Sequence, residues 1–203
     1  MSKTARLMKD SGIEWIGEIP VGWETIRFKK VHNTANVGSA IDKEYWSDNP
    51  DDRYFYTAQV EPIHTSFQDF PSQKYTNSND LLLARNGTPY VYFPYEDSIY
   101  SDHIIRVDLK SGFDRKFIQH ALQTSIKTET VTGVSILTWS VSIWDRQVLP
   151  LPPLPEQQKI AAYLDAKCAA IDKNIADRQT LIEKLTAYKK SLIYEAVTGK
   201  KEI

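Results

Sequence analysis

Residues 149–164 read Leu-Pro-Leu-Pro-Pro-Leu-Pro-Glu-Gln-Gln-Lys-Ile-Ala-Ala-Tyr-Leu. Each X-Pro step pushes the residue before it into extended geometry, so helix is excluded up to about Leu154. Pro155 then sits where a proline is welcome, at the first helical position. Glu156 follows in the first turn, where a carboxylate favours the positive end of the helix dipole. From there to Val197 the chain has neither Gly nor Pro. The pattern predicts one helix of about 42 residues, or about 63 Å at 1.5 Å per residue. Helices in globular domains are usually a quarter to a third of that.

This rod is amphipathic. Ile160, Leu164, Cys168, Ile171, Ile175, Ile182, Leu185 and Leu192 recur at steps of three, four or seven, and the stripe is broken at Arg178 and Gln179. Tyr163, Leu181, Tyr188 and Ile193 broaden it. A domain built from the preceding ~150 residues is only about 35–40 Å across. It cannot cover the whole stripe, so part of the stripe should meet another long helix. The sequence holds no second long helix, and the partner is therefore another copy or another protein. A rod folded back at a kink would need a Gly or Pro that the segment lacks.

Composition narrows the function. With 25 basic and 26 acidic residues the net charge is −1, which argues against a non-specific polyanion binder but not against a local patch that meets phosphates. The single cysteine, Cys168, cannot form an internal disulfide, and a reducing cytoplasm is the expected location. No apolar run is long enough to span a membrane, and no apolar segment follows the N-terminal Met1–Arg6 as a secretory signal would require.

Residues 1–30 read as a loop-like arm, with Trp15 and Trp23 set among Gly12, Gly17, Pro20 and Gly22 to anchor it. Strands are expected at Tyr54–Val60, Leu81–Ala84, Tyr90–Phe93, His103–Val107 and Ile136–Trp139. One short helix is expected at Asp114–Thr124, capped by Asp114 and apolar on the face of Phe117, Ile118, Ala121 and Leu122. The fold class is α+β: one mixed α/β domain over 1–150, low in helix, then the helical segment 151–203.

Catalytic patterns are missing. Pro152-Pro153 lacks the preceding Asn or Asp and the following aromatic of an amino-methyltransferase loop. No glycine-rich phosphate cradle or Walker pattern occurs, and no Gly-x-Ser-x-Gly elbow. His32, His64, His103 and His120 are isolated from one another and from cysteine, so no metal site is expected. A polar, aromatic-rich binding surface remains. Arg85-Asn86-Gly87-Thr88 follows an apolar strand, and Arg and Asn side chains suit bidentate reading of guanine and adenine edges. Tyr90 lies beside them. Lys43, Tyr45, Trp46 and Arg53 form a second loop of the same kind, and Lys74 is suited to a phosphate.

The run Leu151-Pro152-Pro153-Leu154-Pro155-Glu156-Gln157-Gln158-Lys159-Ile160-Ala161, continuing to Leu164-Asp165, resembles the start of the spacer helix in specificity (S) subunits of type I restriction–modification enzymes. Gly12-Ile13-Glu14-Trp15-Ile16-Gly17-Glu18-Ile19-Pro20 with Trp23-Glu24 is similar to that family's N-terminal arm. Asp80–Thr88 resembles a strand and loop of its target recognition domain, Thr132–Ser135 the segment before the strap, and Glu195–Lys200 the end of the spacer helix.

The resemblance implies a non-catalytic DNA-recognition subunit. Residues 1–150 would be the target recognition domain, and 151–203 the spacer helix that pairs in an antiparallel coiled coil. Family members commonly carry two such domains and two helices, whereas this sequence holds one of each. The expectation is a half-subunit that rebuilds the pair as a homodimer, with Ile160, Leu164, Ile171, Ile175, Ile182, Leu185 and Leu192 as the seam. Its partners would be double-stranded DNA, a second copy, a methyltransferase (M) subunit carrying S-adenosylmethionine, and a translocating restriction (R) subunit. The chain itself would bind no cofactor. The alternative is a truncated scaffold or exchange partner of a longer S subunit, with no DNA-reading role of its own.

Overall fold

A computed structural model describes residues 6–71, 74–126 and 138–202, and the chain divides into two compact units, Met1–Gln158 and Lys159–Ile203. The first unit opens with an antiparallel pair, β1 (Met8–Asp10) and β2 (Glu18–Pro20). Then come β3 (Glu24–Arg27), a 3-10 turn at Phe28–Lys30 and β4 (His32–Val37). A second 3-10 turn, Lys43–Tyr45, leads into β5 (Trp46–Ser47), β6 (Arg53–Tyr56) and β7 (Ile63–Thr65). The strands β8 (Asp80–Ala84), β9 (Val91–Tyr92), β10 (Ile99–Tyr100) and β11 (Ile104–Leu109) precede helix α1 (Arg115–Ser125). A five-residue helix α2 (Val141–Asp145), strand β12 (Val148–Leu151) and the 44-residue helix α3 (Leu154–Val197) complete the chain.

Two four-stranded sheets, ordered β10-β6-β7-β5 and β4-β11-β8-β9, hold the core. Strand β8 is Asp-Leu-Leu-Leu-Ala and every residue of it is buried, the pattern of a strand covered on both faces. Leu82 and Ala84 join Phe55, Tyr56, Tyr92, Ile99, Tyr100 and Ile104 in a cluster drawn from both sheets. Strand alternation sends Leu81 and Leu83 to the other face. Trp144, 1% exposed, donates its indole N–H to Ala84 O at 3.1 Å. Sequence reading finds the apolar strand easily, but α2 is too short for its helical period to show.

Charge is buried here as well. Asp80 is fully buried and accepts from Arg106 Nε at 2.5 Å and from the Asn77 backbone N–H at 2.7 Å. Burial pushes the Asp80 carboxyl up, and the Arg106 guanidinium pulls it back. The same dry core acts on phenols. Burial pushes Tyr92 up to about 12, and its hydroxyl lacks a hydrogen-bond partner. A raised folded value means that the unfolded chain ionises first. Stability from this group is therefore complete below about pH 10 and lost as the pH rises towards about 12. Urea midpoints at pH 9 and pH 11 should differ less for Tyr92→Phe than for the parent chain. An equal decline in both would place its cause elsewhere.

The arm is more structured than the loop expected over residues 1–30, because it supplies β1, β2 and β3. Strand β3 pairs antiparallel with the strap: Glu24 lies opposite Leu151 and Arg27 opposite Val148. A two-stranded ribbon tolerates Pro150 because a proline there can keep its missing donor off the ladder. Both tryptophans anchor as expected, on the strap and first helical turn. Trp15 Nε1 donates to Val148 O at 3.2 Å and Trp23 Nε1 to Glu156 Oε2 at 2.8 Å. Arg6 pairs with the other oxygen of Glu156. Gln157, 1% exposed, accepts from Asp114 N at 2.9 Å and donates to Pro152 O at 2.9 Å. The Pro-Glu-Gln run is therefore a latch that ties the arm, the strap and the start of α1 together.

Helix α1 lies where the sequence places it: Asp114 Oδ1 accepts from Phe117 N at 2.9 Å, and Phe117, Ile118, Ala121 and Leu122 are buried. The strand expected at Tyr54–Val60 ends at Tyr56. There the Thr57 hydroxyl accepts from the Gln59 N–H at 3.3 Å, and a local turn of this kind competes with the ladder. The strand expected at Tyr90–Phe93 is confined to Val91–Tyr92. Of the strand expected at Ile136–Trp139, Thr138 bridges to Asn86. The other half of that strand and the Thr132–Ser135 motif lie outside the described residues.

The second unit is helix alone. Helix α3 runs unbroken to Val197, about 66 Å at 1.5 Å per residue, so the folded-back alternative does not occur. Gly199 ends it in the left-handed region at φ 67°, with Lys200 N donating to Glu195 O and Gly199 N to Ala196 O, a Schellman-type stop. Ile171, Ile175, Ile182 and Leu185 are each 56–60% exposed. No helix among the described residues is long and apolar enough to cross a membrane.

Candidate nucleic-acid interface

The connection between β8 and β9 is a tight polar turn. Gly87 takes φ 74°, a region that a side chain would strain. The turn is braced from behind: Trp139 Nε1 donates to Gly87 O at 2.7 Å, and Arg85 N to His103 O at 2.8 Å. Arg85 Nη1 donates to Asp102 O at 3.0 Å, so the arginine clamps β8 to the loop before β11. Asn86 Oδ1 lies 3.1 Å from His103 Nδ1. If that ring nitrogen carries the proton, the amide N–H2 of Asn86 is left to face outward as a donor.

The second polar loop arrives from β4. At Gly38 any side chain would collide with backbone, since a Cβ would lie 2.0 Å from Tyr100 O and 2.4 Å from Ser101 O. Only glycine lets β4 cross so close to β10, and Ser39 N then donates to Tyr100 O at 3.2 Å. The chain continues through Ala40 and Ile41 into the Lys43–Tyr45 turn. Lys43 Nζ stands 5.4 Å from the Trp46 ring centroid, a cation–π placement. Tyr45 packs its ring edge-on against Phe67 at 5.2 Å, and its carbonyl accepts from Thr65 and Ser66.

These two loops meet. A hollow of about 460 Å³ is lined by Ile41, Lys43, Trp46, Thr57, Gln59 and Asp102, among others. A second of about 300 Å³ is lined by Asn86, Gly87, Thr88 and Tyr90. Ala58 and His103 belong to both, so the hollows form one groove with His103 at its waist. Trp46 and Tyr90 are each 37% exposed on its walls, where an aromatic face can stack and a polar edge can donate. Among the described residues no group of His, Cys, Asp and Glu could hold a metal ion. The groove offers amide, imidazole, hydroxyl and ammonium groups, a set that reads hydrogen-bond patterns.

Of the candidates read from sequence, Lys43, Trp46, Asn86, Thr88 and Tyr90 line this groove. Arg85 and Tyr45 line neither hollow: Arg85 clamps β8 to the loop before β11, and Tyr45 packs on Phe67. Arg53 lies elsewhere: its guanidinium stacks 4.3 Å from the Tyr75 ring centroid and donates to Asp97 O at 3.0 Å. It lines a shallow hollow with Asp51, Asp52, Glu96 and Asp97, carboxylates that repel phosphate. Lys74 is half-buried and lines none of these hollows. His103 and Ala58 carry no sequence signal, since His103 is 17 residues from Asn86 and matches no motif.

Residues 20–185 match the family model described as the type I restriction modification DNA specificity domain. The type I restriction enzyme EcoBI specificity subunit of Escherichia coli is 27% identical over 135 residues, covering 64% of this chain and 28% of that protein. The HsdS subunit of Thermoanaerobacter tengcongensis superposes with a TM-score of 0.60 at 15% identity, over 82% of this chain and 41% of that one. The type I restriction–modification S subunit of M. genitalium gives 0.53 at 17% identity, over 85% and 45%. The chain belongs to the type I restriction–modification DNA specificity family, whose members are non-catalytic DNA-recognition components. It spans about 28% of the curated relative's length and about 41–45% of those solved chains.

Proposed function

We propose that this chain reads one half of a bipartite double-stranded DNA target. Two copies join through antiparallel pairing of α3, and M subunits carrying S-adenosylmethionine dock on that dimer. The observation that carries the reading is the groove around His103, where two polar-aromatic loops far apart in sequence converge. The bare apolar stripe of α3 supports the pairing, because isoleucines more than half exposed along a rod of about 66 Å form the kind of apolar surface that a partner helix covers. A two-fold dimer of identical readers requires a palindromic split target. Few cations line the groove, and Asp42 and Asp102 border it. Most phosphate contacts then fall to the M subunits, to which an R subunit can be added for cleavage.

Mixing the purified chain with a cognate M subunit and sequencing the methylated DNA tests this. A palindromic split motif supports the reading. No methylation by an assembled complex points instead to a scaffold or exchange partner of a longer S subunit. Asn86→Ala should relax the motif at one base pair of each half-site, a loss of about 1–3 kcal/mol in discrimination. An unchanged motif would remove Asn86 from the reading set.

A further inference from the structure

Resting on the DNA-reading proposal, we infer that His103 is a specificity-determining residue of the groove, whose Nε2 accepts from the amino group of one base, adenine or cytosine, in each half-site. The residue is held at its N–H, its carbonyl and its ring. The backbone N–H donates to Ser101 Oγ at 3.2 Å, the carbonyl accepts from Arg85 N at 2.8 Å, and Nδ1 lies 3.1 Å from Asn86 Oδ1. Asn86 is itself braced, by its bridge to Thr138 and by the Trp139 bond to Gly87 O. His103 nevertheless stays exposed and lines both hollows. An acceptor held this firmly meets a base edge with little ordering left to lose.

The Asn86 contact sets which ring nitrogen is free. An amide oxygen only accepts, so the shared hydrogen bond needs the proton on Nδ1. A neutral imidazole carries one such proton, which leaves Nε2 as a bare acceptor. Among the described residues nothing donates to Nε2. The groove therefore presents the Asn86 N–H2 as a donor beside His103 Nε2 as an acceptor. Base edges in the major groove carry the complement. Adenine sets its N7 acceptor beside its N6 amino group, and a G·C pair sets guanine O6 beside the cytosine N4 amino group. On either edge the amino group falls to His103. A guanine or thymine in that place turns a carbonyl oxygen towards Nε2. Two acceptors then face each other with no proton between them, and both have lost their water. The imidazole thus selects amino over keto bases on one strand. An Asn86 amide free to turn over, offering donor or acceptor to the same spot, does not enforce that choice.

The test assembles the chain and its His103 variants with the cognate M subunit on plasmid DNA and sequences the methylated motif. At one position of each half-site the wild-type motif should hold adenine or cytosine, and His103→Ala should accept any base there. His103→Lys, whose ammonium only donates, should move that position to guanine or thymine. A second measurement probes the unaltered protein with duplexes that lack single amino groups, purine replacing adenine or 2-pyrimidinone replacing cytosine at each motif position in turn. At the His103 position the wild-type complex should bind the altered duplex about 10-fold more weakly, and His103→Ala should erase that difference. An unchanged motif in both variants, or no wild-type sensitivity to any missing amino group, overturns the inference while leaving the DNA-reading role of the groove standing. A wild-type complex that assembles yet methylates no motif overturns the DNA-reading proposal itself.

Discussion

Ile171→Glu is expected to weaken self-association about 1000-fold, corresponding to about 4 kcal/mol. A dimer of the proposed kind would carry the substitution twice, and each new carboxylate would enter the apolar seam, where an unpaired charge is costly. The isolated chain should lose little, because Ile171 is 56% exposed on the single helix. Sedimentation equilibrium gives the dissociation constant, and circular dichroism at low concentration reports the fold. Ile175→Glu should act in the same direction, since Ile175 lies on the same stripe and is 60% exposed on the single helix. No effect at either position would show that the stripe is not the seam.

Arg106→Leu is expected to destabilise the first unit by about 3–5 kcal/mol. The reason is Asp80, which is fully buried and would be left in the dry core without the guanidinium that compensates it. A domain has only about 5–15 kcal/mol to lose, so the variant should show a much lower urea midpoint. Asp80→Asn combined with Arg106→Leu should recover most of the loss. An asparagine oxygen can still accept from the Asn77 N–H, at 2.7 Å in the parent chain, and no buried charge remains. Failure of the double variant to recover would mean that Arg106 acts chiefly by packing, and the cycle would measure that difference.

The legible parts of this chain were those whose signals are local. The X-Pro steps, the long stretch without Gly or Pro, the Asp114 cap and the apolar run Leu81–Ala84 each act through neighbouring residues, and the elements lie close to where these signals place them. The hidden parts depend on distant contacts. The ribbon between residues 24 and 151 cannot be read from either strand, and Glu24–Arg27 looks like loop until Val148–Leu151 is beside it. The candidate site divides in the same way. Asn86, Thr88 and Trp46 suggest themselves by type, but only the fold seats them around His103. Arg53, of the same type, is turned by Tyr75 and Asp97 towards an acidic surface. Arg85 is the most suggestive base reader by residue type, yet its guanidinium is engaged by Asp102 O as a clamp.

The β3–β12 ribbon has an evolutionary consequence. Because Arg27 and Val148 are register partners, the polypeptide leaves and re-enters the ribbon at points one strand spacing apart, about 4.8 Å. Everything from Phe28 to Gln147 thus forms a closed excursion with neighbouring ends. A recombination event with one crossover in each strand could replace that entire excursion and leave the latch and the rod untouched. New DNA preferences could then arise by exchange of whole cassettes between genes, in a single step, without any intermediate that must fold with half of each groove.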